Sequence, residues 1–119
     1  MPDSPRTIVS AYFDAWRAHD PRALRALLAD DATFVGPLGR SDNADDYAQS
    51  IQRLFEITTT IEVQKMAVDG DDILTWFDLH TSVAPPAAVA NWAHIEKGKI
   101  ASVRAIFDPR AIIAARQRR

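Results

Sequence analysis

The chain has 119 residues, enough for one domain with a hydrophobic core that needs neither a disulfide nor a structural metal. Its formal net charge of −2 gives no overall attraction to nucleic acid or to a membrane surface, and no apolar run approaches the ~20 residues of a membrane span. The absence of cysteine excludes thiol chemistry and fits a reducing compartment. We therefore expect one cytoplasmic domain, residues 1–119, with no nucleic-acid or membrane partner.

The first half of the chain predicts three helices and one strand. Apolar residues recur at helical spacing in two long segments, and Asp20-Pro21 is the cap-and-proline pair that opens a short helix between them. Glycine and proline at residues 36–39 break regular structure after a short β-branched and aromatic run. We predict helices over residues 7–19 and about 44–56, the short helix after Asp20, and a strand over residues 32–35.

The second half predicts four strands in succession. Its segments alternate apolar and polar residues, and Asp69-Gly70-Asp71 and Lys97-Gly98 are hairpin signals. The predicted strands cover residues 58–68, 73–83, 87–96 and 99–107, and a last helix is predicted over about 110–117. This order predicts an α+β fold in which three N-terminal helices pack on one face of a curved antiparallel sheet, followed by a short C-terminal helix.

One predicted strand carries an ionisable pair. Residues two apart in a strand point to the same face, so Trp76, Asp78 and His80 share one face while Phe77 and Leu79 share the other. We interpret the mixed face as the wall of a polar-lined cavity, where Asp78 would act as a general base and His80 would shuttle a proton. The alternatives are structural side chains with local hydrogen bonds, or an exposed pair if the purely apolar face is the buried one.

The remaining charged groups indicate no metal site. Only one of the three histidines is expected to point inward, and metal sites need three or four converging ligands. The one basic cluster, Arg116, Arg118 and Arg119, is typical of a solvated helix end whose cations suit the helix dipole. A weak anion-binding tail is the alternative.

Three stretches carry a resemblance to a known family. They are residues 11–16 before His19-Asp20, residues 28–34 before Gly36-Pro37, and residues 98–107. In them the chain resembles the nuclear transport factor 2-like superfamily, the cone-shaped α+β fold that includes ketosteroid isomerases and SnoaL-like polyketide cyclases. The resemblance implies a deep apolar pocket between the helices and the concave sheet, and frequent homodimers.

Carrying the ketosteroid isomerase residues over gives a mixed result. The tyrosine that polarises a substrate carbonyl in that family matches Tyr12, whereas the general-base aspartate falls on Gly36, which has no side chain. The second donor falls near Asn91, whose amide could supply a similar hydrogen bond. Purely structural roles for Tyr12 and Asn91 are the alternatives. The resemblance also implies a substrate-pocket wall made of Trp16, Phe34, Trp76, Val103, Ala105 and Phe107. The alternative for its aromatic residues is that they are simply part of the hydrophobic core.

These inferences lead to a pocket protein for an apolar small molecule with a carbonyl or hydroxyl group. In an enzymatic form, Asp78 with His80 would accept a proton from a carbon next to a carbonyl, and Tyr12 and Asn91 would stabilise the enolate. The chemistry would be isomerisation, cyclisation, hydration or a hydrolase-type step, and we expect no cofactor and no metal. The alternatives are a non-catalytic binding module and a structural homodimer through a convex face that exposes Phe77, Leu79, Trp92 and His94.

Overall fold

The computed structural model describes residues 3–117 and confirms the predicted α+β fold. Its helices are α1 (Pro5–Arg17), α2 (Pro21–Ala26), α3 (Ala44–Ile57) and α4 (Arg110–Gln117). Its strands are β1 (Leu28–Gly36), β2 (Gly39–Ser41), β3 (Thr58–Asp69), β4 (Asp72–Thr81), β5 (Ala87–Glu96) and β6 (Lys99–Ile106). None of these four helices, all within the described residues, combines the length with the apolar composition that a membrane crossing requires.

The strands form one sheet in the order β2-β1-β6-β5-β4-β3. All neighbours are antiparallel except β1 and β6, which run parallel, so the sheet is mixed at one position where we expected only antiparallel pairs. Strand β1 begins at Leu28, inside the region expected to be helical. The reason is its long-range pairing with β6, which begins where the Ile100 N–H donates to the Leu27 carbonyl at 2.8 Å. Local sequence patterns do not show such a partner.

The sheet is curved because its ladders contain irregularities. Register shifts occur between β3 and β4 at Thr58/Thr60 and Val63/Lys65, and between β5 and β6 at His94/Ile95. An extra residue on one strand bends that strand and increases its twist. Helices α1 and α3 contact one face of the sheet, which we call the inner face; the opposite face is the outer face.

Helix α1 is held on β4 by aromatic packing. Ser4 caps its start, with the side-chain oxygen accepting a hydrogen bond from the Thr7 N–H at 3.2 Å. The ring centroids of Phe13 and Trp16 lie 5.0 and 5.8 Å from that of Phe77. These contacts fix which face of β4 is buried, since Phe77 is 1% exposed beneath the helix.

Candidate functional site

A cavity of about 180 Å³ lies between α3, the β1–β2 hairpin and α4. Apolar side chains form most of its wall, contributed by Phe34, Leu38, Ile51, Leu54 and Phe107. The volume exceeds the ~150 Å³ of an apolar cavity that holds benzene, and it lies below the ~300–1,000 Å³ typical of pockets for drug-sized ligands. The cavity therefore suits a single ring or a short chain rather than a large polycyclic molecule.

Helix α3 supplies one side of this cavity. Asn43 caps the helix, with its side-chain oxygen accepting from the Asp46 N–H at 2.9 Å. Tyr47, Ser50 and Leu54 are three and four residues apart, so they lie on the same side of the helix, and all three line the cavity. The Ser50 hydroxyl lies 3.4 Å from the Ser41 hydroxyl across the cavity lining, which adds a polar spot to an apolar wall.

Two buried tyrosines, one of which lines the cavity, form a hydroxyl pair. The hydroxyls of Tyr12 on α1 and Tyr47 on α3 are hydrogen-bonded at 2.5 Å, and both side chains are at most 2% exposed. Burial raises the pKa of both phenols, so both stay protonated at neutral pH. Two hydroxyls carry two hydrogens and the bond between them uses one. The accepting member therefore keeps a hydrogen that can be donated to a third atom.

Among residues 3–117, none of those that line the cavity is an aspartate, a glutamate or a histidine. The ionisable groups of its lining are arginines, which stay protonated, and Tyr47. Proton abstraction requires a general base, which is a deprotonated group within hydrogen-bond reach of the substrate proton. The protonated arginines and Tyr47 are not groups of this kind. Nor do residues 3–117 contain three or more His, Cys, Asp or Glu side chains grouped so that they could hold a metal ion.

The Phe34 ring occupies the space beside Gly36, the position at which the resemblance to ketosteroid isomerases implied a general-base aspartate. A Cβ atom added to Gly36 would lie 2.8 Å from Cζ of Phe34 and 3.0 Å from Cε2. Phe34 and Gly36 are two apart on β1, so both face the same side of the sheet. The Phe34 ring thus fills the space that a side chain at residue 36 would enter.

The prediction that Trp76, Asp78 and His80 face the helices is wrong. Trp76 is 52% exposed, and Phe77 and Leu79, the alternate residues, are the buried ones. On the outer face, Asp78 accepts a hydrogen bond from the Gln64 amide at 3.0 Å, and His80 lies 3.5 Å from Glu62. Alternation identified the two sets correctly but not which set is inward. The more apolar set is buried because it packs on α1.

The other predicted site residues lie on the inner side, and few reach the cavity. Phe34 and Phe107 line it, whereas the side chains of Trp16, Val103 and Ala105 are buried core outside its lining. The Trp16 ring N–H donates to the Thr58 hydroxyl at 3.0 Å, which gives it a structural partner. A substrate contact for any of them stays a prediction.

Asn91 points inward, as its alternation with Ala93 and Ile95 predicts, and it is 4% exposed. It is not part of the cavity lining. Its cross-strand neighbour Thr75 has a buried hydroxyl with no hydrogen-bond partner among the described residues. The sheet therefore has a small polar spot beneath the helices, separate from the cavity, and a role for Asn91 as an oxyanion donor stays a prediction.

Sequence reasoning missed most of the polar lining. The sequence patterns single out none of Tyr47, Ser41, Ser50, Arg40 and Arg53, all of which line the cavity. Helical spacing does place Ser50 beside Tyr47 and Leu54, which is the one signal that could have identified it. Arg116 was noted only as part of the basic tail, whose other members, Arg118 and Arg119, lie outside the described residues.

Known proteins share this fold over nearly the whole chain. An NTF2-like protein of unknown function from Cytophaga hutchinsonii is 24% identical with a TM-score of 0.83, and the match covers 95% of this chain and 97% of that one. An LEH-like epoxide hydrolase from M. tuberculosis is 19% identical with a TM-score of 0.76, covering 96% and 90%. A de novo designed protein with a curved β-sheet is 16% identical with a TM-score of 0.82, covering 95% and 92%.

At these identities the structural matches establish the fold alone, because one fold carries many activities. The sequence comparison is more specific. The SnoaL-like domain family matches residues 9–103, which is most of the chain and includes most of α1, all of α2 and α3, and strands β1 to β5. The protein belongs to the SnoaL-like domain family.

Proposed function

We propose that the protein binds a small apolar molecule that carries a carbonyl or hydroxyl oxygen, and that it does so without converting it. The single observation that supports this most strongly is the composition of the cavity lining, which is apolar with a few hydroxyls and has no aspartate, glutamate or histidine. Such a lining is typical of ligand pockets, in which a few polar groups orient a largely apolar molecule.

The tyrosine pair offers the orienting hydrogen bond. Tyr47 lines the cavity and is bonded to Tyr12, and the pair retains one hydrogen for a third atom. A ligand oxygen that accepted this hydrogen would satisfy a buried donor, which favours ligands with a carbonyl or hydroxyl over plain hydrocarbons. Tyr12 would then act through Tyr47, which modifies its expected role as a direct contact.

Proton abstraction is the less favoured function. It would require a base near the ligand, and Gly36 provides none while Asp78 and His80 lie on the outer face. Tyrosines whose pKa is raised by burial are donors at neutral pH, not bases. The test below therefore also detects proton abstraction, the step that isomerase, cyclase, hydratase or hydrolase-type activity would use.

Acetophenone tests both parts of the proposal, because it has one ring, a carbonyl and exchangeable protons on the carbon next to it. We expect saturation-transfer NMR to detect binding to the wild type, and Ser50→Trp to abolish it by filling the cavity from its exposed position in the middle of α3. Gln52→Trp is the matched control, since Gln52 is exposed on the same helix and does not line the cavity.

The same samples in D₂O report catalysis. We expect the methyl protons of acetophenone to exchange no faster with protein than in buffer, as a binding module requires. Exchange accelerated by the wild type and lost in Ser50→Trp would show a base at the cavity and overturn the non-catalytic proposal. Equal binding by wild type and Ser50→Trp would overturn the assignment of the cavity.

We also propose that two copies associate through the outer face and that the protein works in the cytoplasm. The first proposal is supported by exposed apolar side chains on adjacent strands of that face, among them Leu74, Trp76, Trp92 and Ile106. Patches of this kind mark association surfaces. The second rests only on the absence of cysteine and is checked by cell fractionation.

A further inference from the structure

The charged residues of the cavity lining are all cationic. Arg40, Arg53 and Arg116 line it, and no acidic residue does. The chain as a whole has 16 acidic and 14 basic side chains, so composition alone does not lead to a lining of one sign. An apolar cavity with cations at its opening is complementary to a molecule with an apolar body and an anionic end.

Two of the three arginines are free to bind a ligand. Arg40 is paired with Asp42 at 3.0 Å. Arg53 on α3 and Arg116 on α4 are exposed and make no ion pair or hydrogen bond with the residues from 3 to 117. A guanidinium presents a planar fork of N–H donors that matches a carboxylate.

These two arginines also mark where the anionic end would lie. Both line the cavity, and both line an adjoining depression that contains Ile112 and Ala115 of α4. They therefore lie on the boundary between the two hollows, where α3 and α4 approach each other. Glu56 is the acidic residue in this area, and it lines the depression but not the cavity.

We infer that the ligand of this cavity is a small carboxylate, such as a hydroxyaryl- or oxoalkyl-alkanoate, whose apolar part packs in the cavity with its own oxygen toward Tyr47 and whose carboxylate binds Arg53 and Arg116. The inference rests on the proposed function and adds the chemical class of the ligand. The volume of about 180 Å³ limits the apolar part to about one ring, and the carboxylate extends toward the exposed arginines.

The test compares 3-phenylpropanoate with its uncharged methyl ester by titration calorimetry at neutral pH. We expect the wild type to bind the carboxylate at least about tenfold more tightly than the ester, with the preference reduced by added salt. Arg53→Gln and Arg116→Gln should each weaken carboxylate binding by about 3- to 10-fold, allowing for the exposure of both arginines, and leave ester binding within about twofold.

Arg22→Gln is the matched control, because it removes one exposed arginine, on α2, that lines none of the hollows described above. It should leave both affinities unchanged. Equal affinity for carboxylate and ester, or equal losses in all three variants, would overturn the carboxylate inference and leave the proposed function standing. Binding of neither compound would overturn both.

Discussion

At the scale of single residues, the Phe34 ring leaves no room for a side chain at Gly36. A carboxylate at residue 36 would need space that the Phe34 ring fills, since a Cβ there would meet Cζ at 2.8 Å. Gly36 is not among the glycines with positive φ, so the backbone itself would accept a side chain. The conflict is between side chains, and it is therefore testable by changing the ring.

Gly36→Ala should lower the free energy of unfolding by about 1–3 kcal/mol, because the added methyl group overpacks against the ring. In a Phe34→Ala background the same change should be neutral or stabilising by ~0.4–1 kcal/mol, as alanine restricts the unfolded chain. Urea unfolding of the four proteins measures both values. The same loss in both backgrounds would show that the ring is not what excludes a side chain.

At the scale of elements, β4 and β5 are joined by an ionic contact as well as by their ladder. Asp72, the first residue of β4, accepts hydrogen bonds from the Trp92 ring N–H and from His94 Nδ1, each at 2.8 Å. The hydrogen bond from Trp92 has the larger effect and the one from His94 the smaller, and together they hold the pKa of Asp72 below its ordinary value. The bond to Asp72 is the main reason why the pKa of His94 is raised above its ordinary value of 6.5.

This contact should make stability depend on pH. Because the pKa of His94 is higher in the folded state, protonated His94 stabilises the fold fully below pH 6.5. This stabilisation is lost as the pH rises through the folded-state pKa of His94. Because the pKa of Asp72 is lower in the folded state, ionised Asp72 stabilises the fold fully above its ordinary pKa of 3.8. This stabilisation is lost as the pH falls through the folded-state pKa of Asp72. We expect the unfolding free energy of the wild type, relative to His94→Gln, to be greatest between about pH 4 and 6.5 and to decline above that range.

Chemical denaturation at closely spaced pH values measures this difference. Asp72→Asn should reduce the decline above pH 6.5, because His94 then lacks the carboxylate that is the main cause of its raised pKa, while Glu96 and Asp71 remain nearby. The side chains of His94 and Asp72 are 36% and 35% exposed, so solvent screens the pair and added salt should reduce the difference. If the stability difference declined by the same amount in Asp72→Asn, the decline would have to come from a group other than Asp72.

At the scale of the whole molecule, the outer face has a patch that a single copy leaves in water. Two cross-strand rows cover three neighbouring strands, Leu74–Trp92–Arg104 and Trp76–Ala90–Ile106. Leu74, Trp76, Trp92 and Ile106 are 43–75% exposed, and Arg104 lies 5.6 Å above the Trp92 ring. The expectation that Phe77 and Leu79 lie on this face is wrong, whereas Trp92 and His94 do lie there.

We predict a homodimer through this patch, and Trp76→Glu should raise its dissociation constant at least about tenfold, since a two-fold interface would contain the new charge twice. Light scattering over a range of concentrations measures the change. Val68→Glu is the matched control, because Val68 is similarly exposed but pairs with buried Ile73, which places it on the other face. A wild type that is monomeric at micromolar concentration would contradict the prediction.

The sequence determined most of the elements, though not β2 or the start of β1, and it determined which residues of a strand share a face. Helical spacing and turn residues located α1, α3 and α4 within about two residues, and alternation grouped Asn91 with Ala93 and Ile95 correctly. These features follow from backbone geometry, which fixes where successive side chains point relative to one another. The resemblance to the SnoaL-like proteins was carried by the same local patterns and is confirmed by the family match.

Only the tertiary structure decided which face is buried and which residues meet. Whether Phe77 or Asp78 points inward depends on what packs against β4, and the aromatic side chains of α1 come from a distant part of the chain. Likewise, the Tyr12–Tyr47 hydrogen bond connects α1 to α3, and Arg53 and Arg116 line the same cavity from α3 and α4. Local spacing has no information about such partners, because burial is a property of the assembled fold and not of one strand.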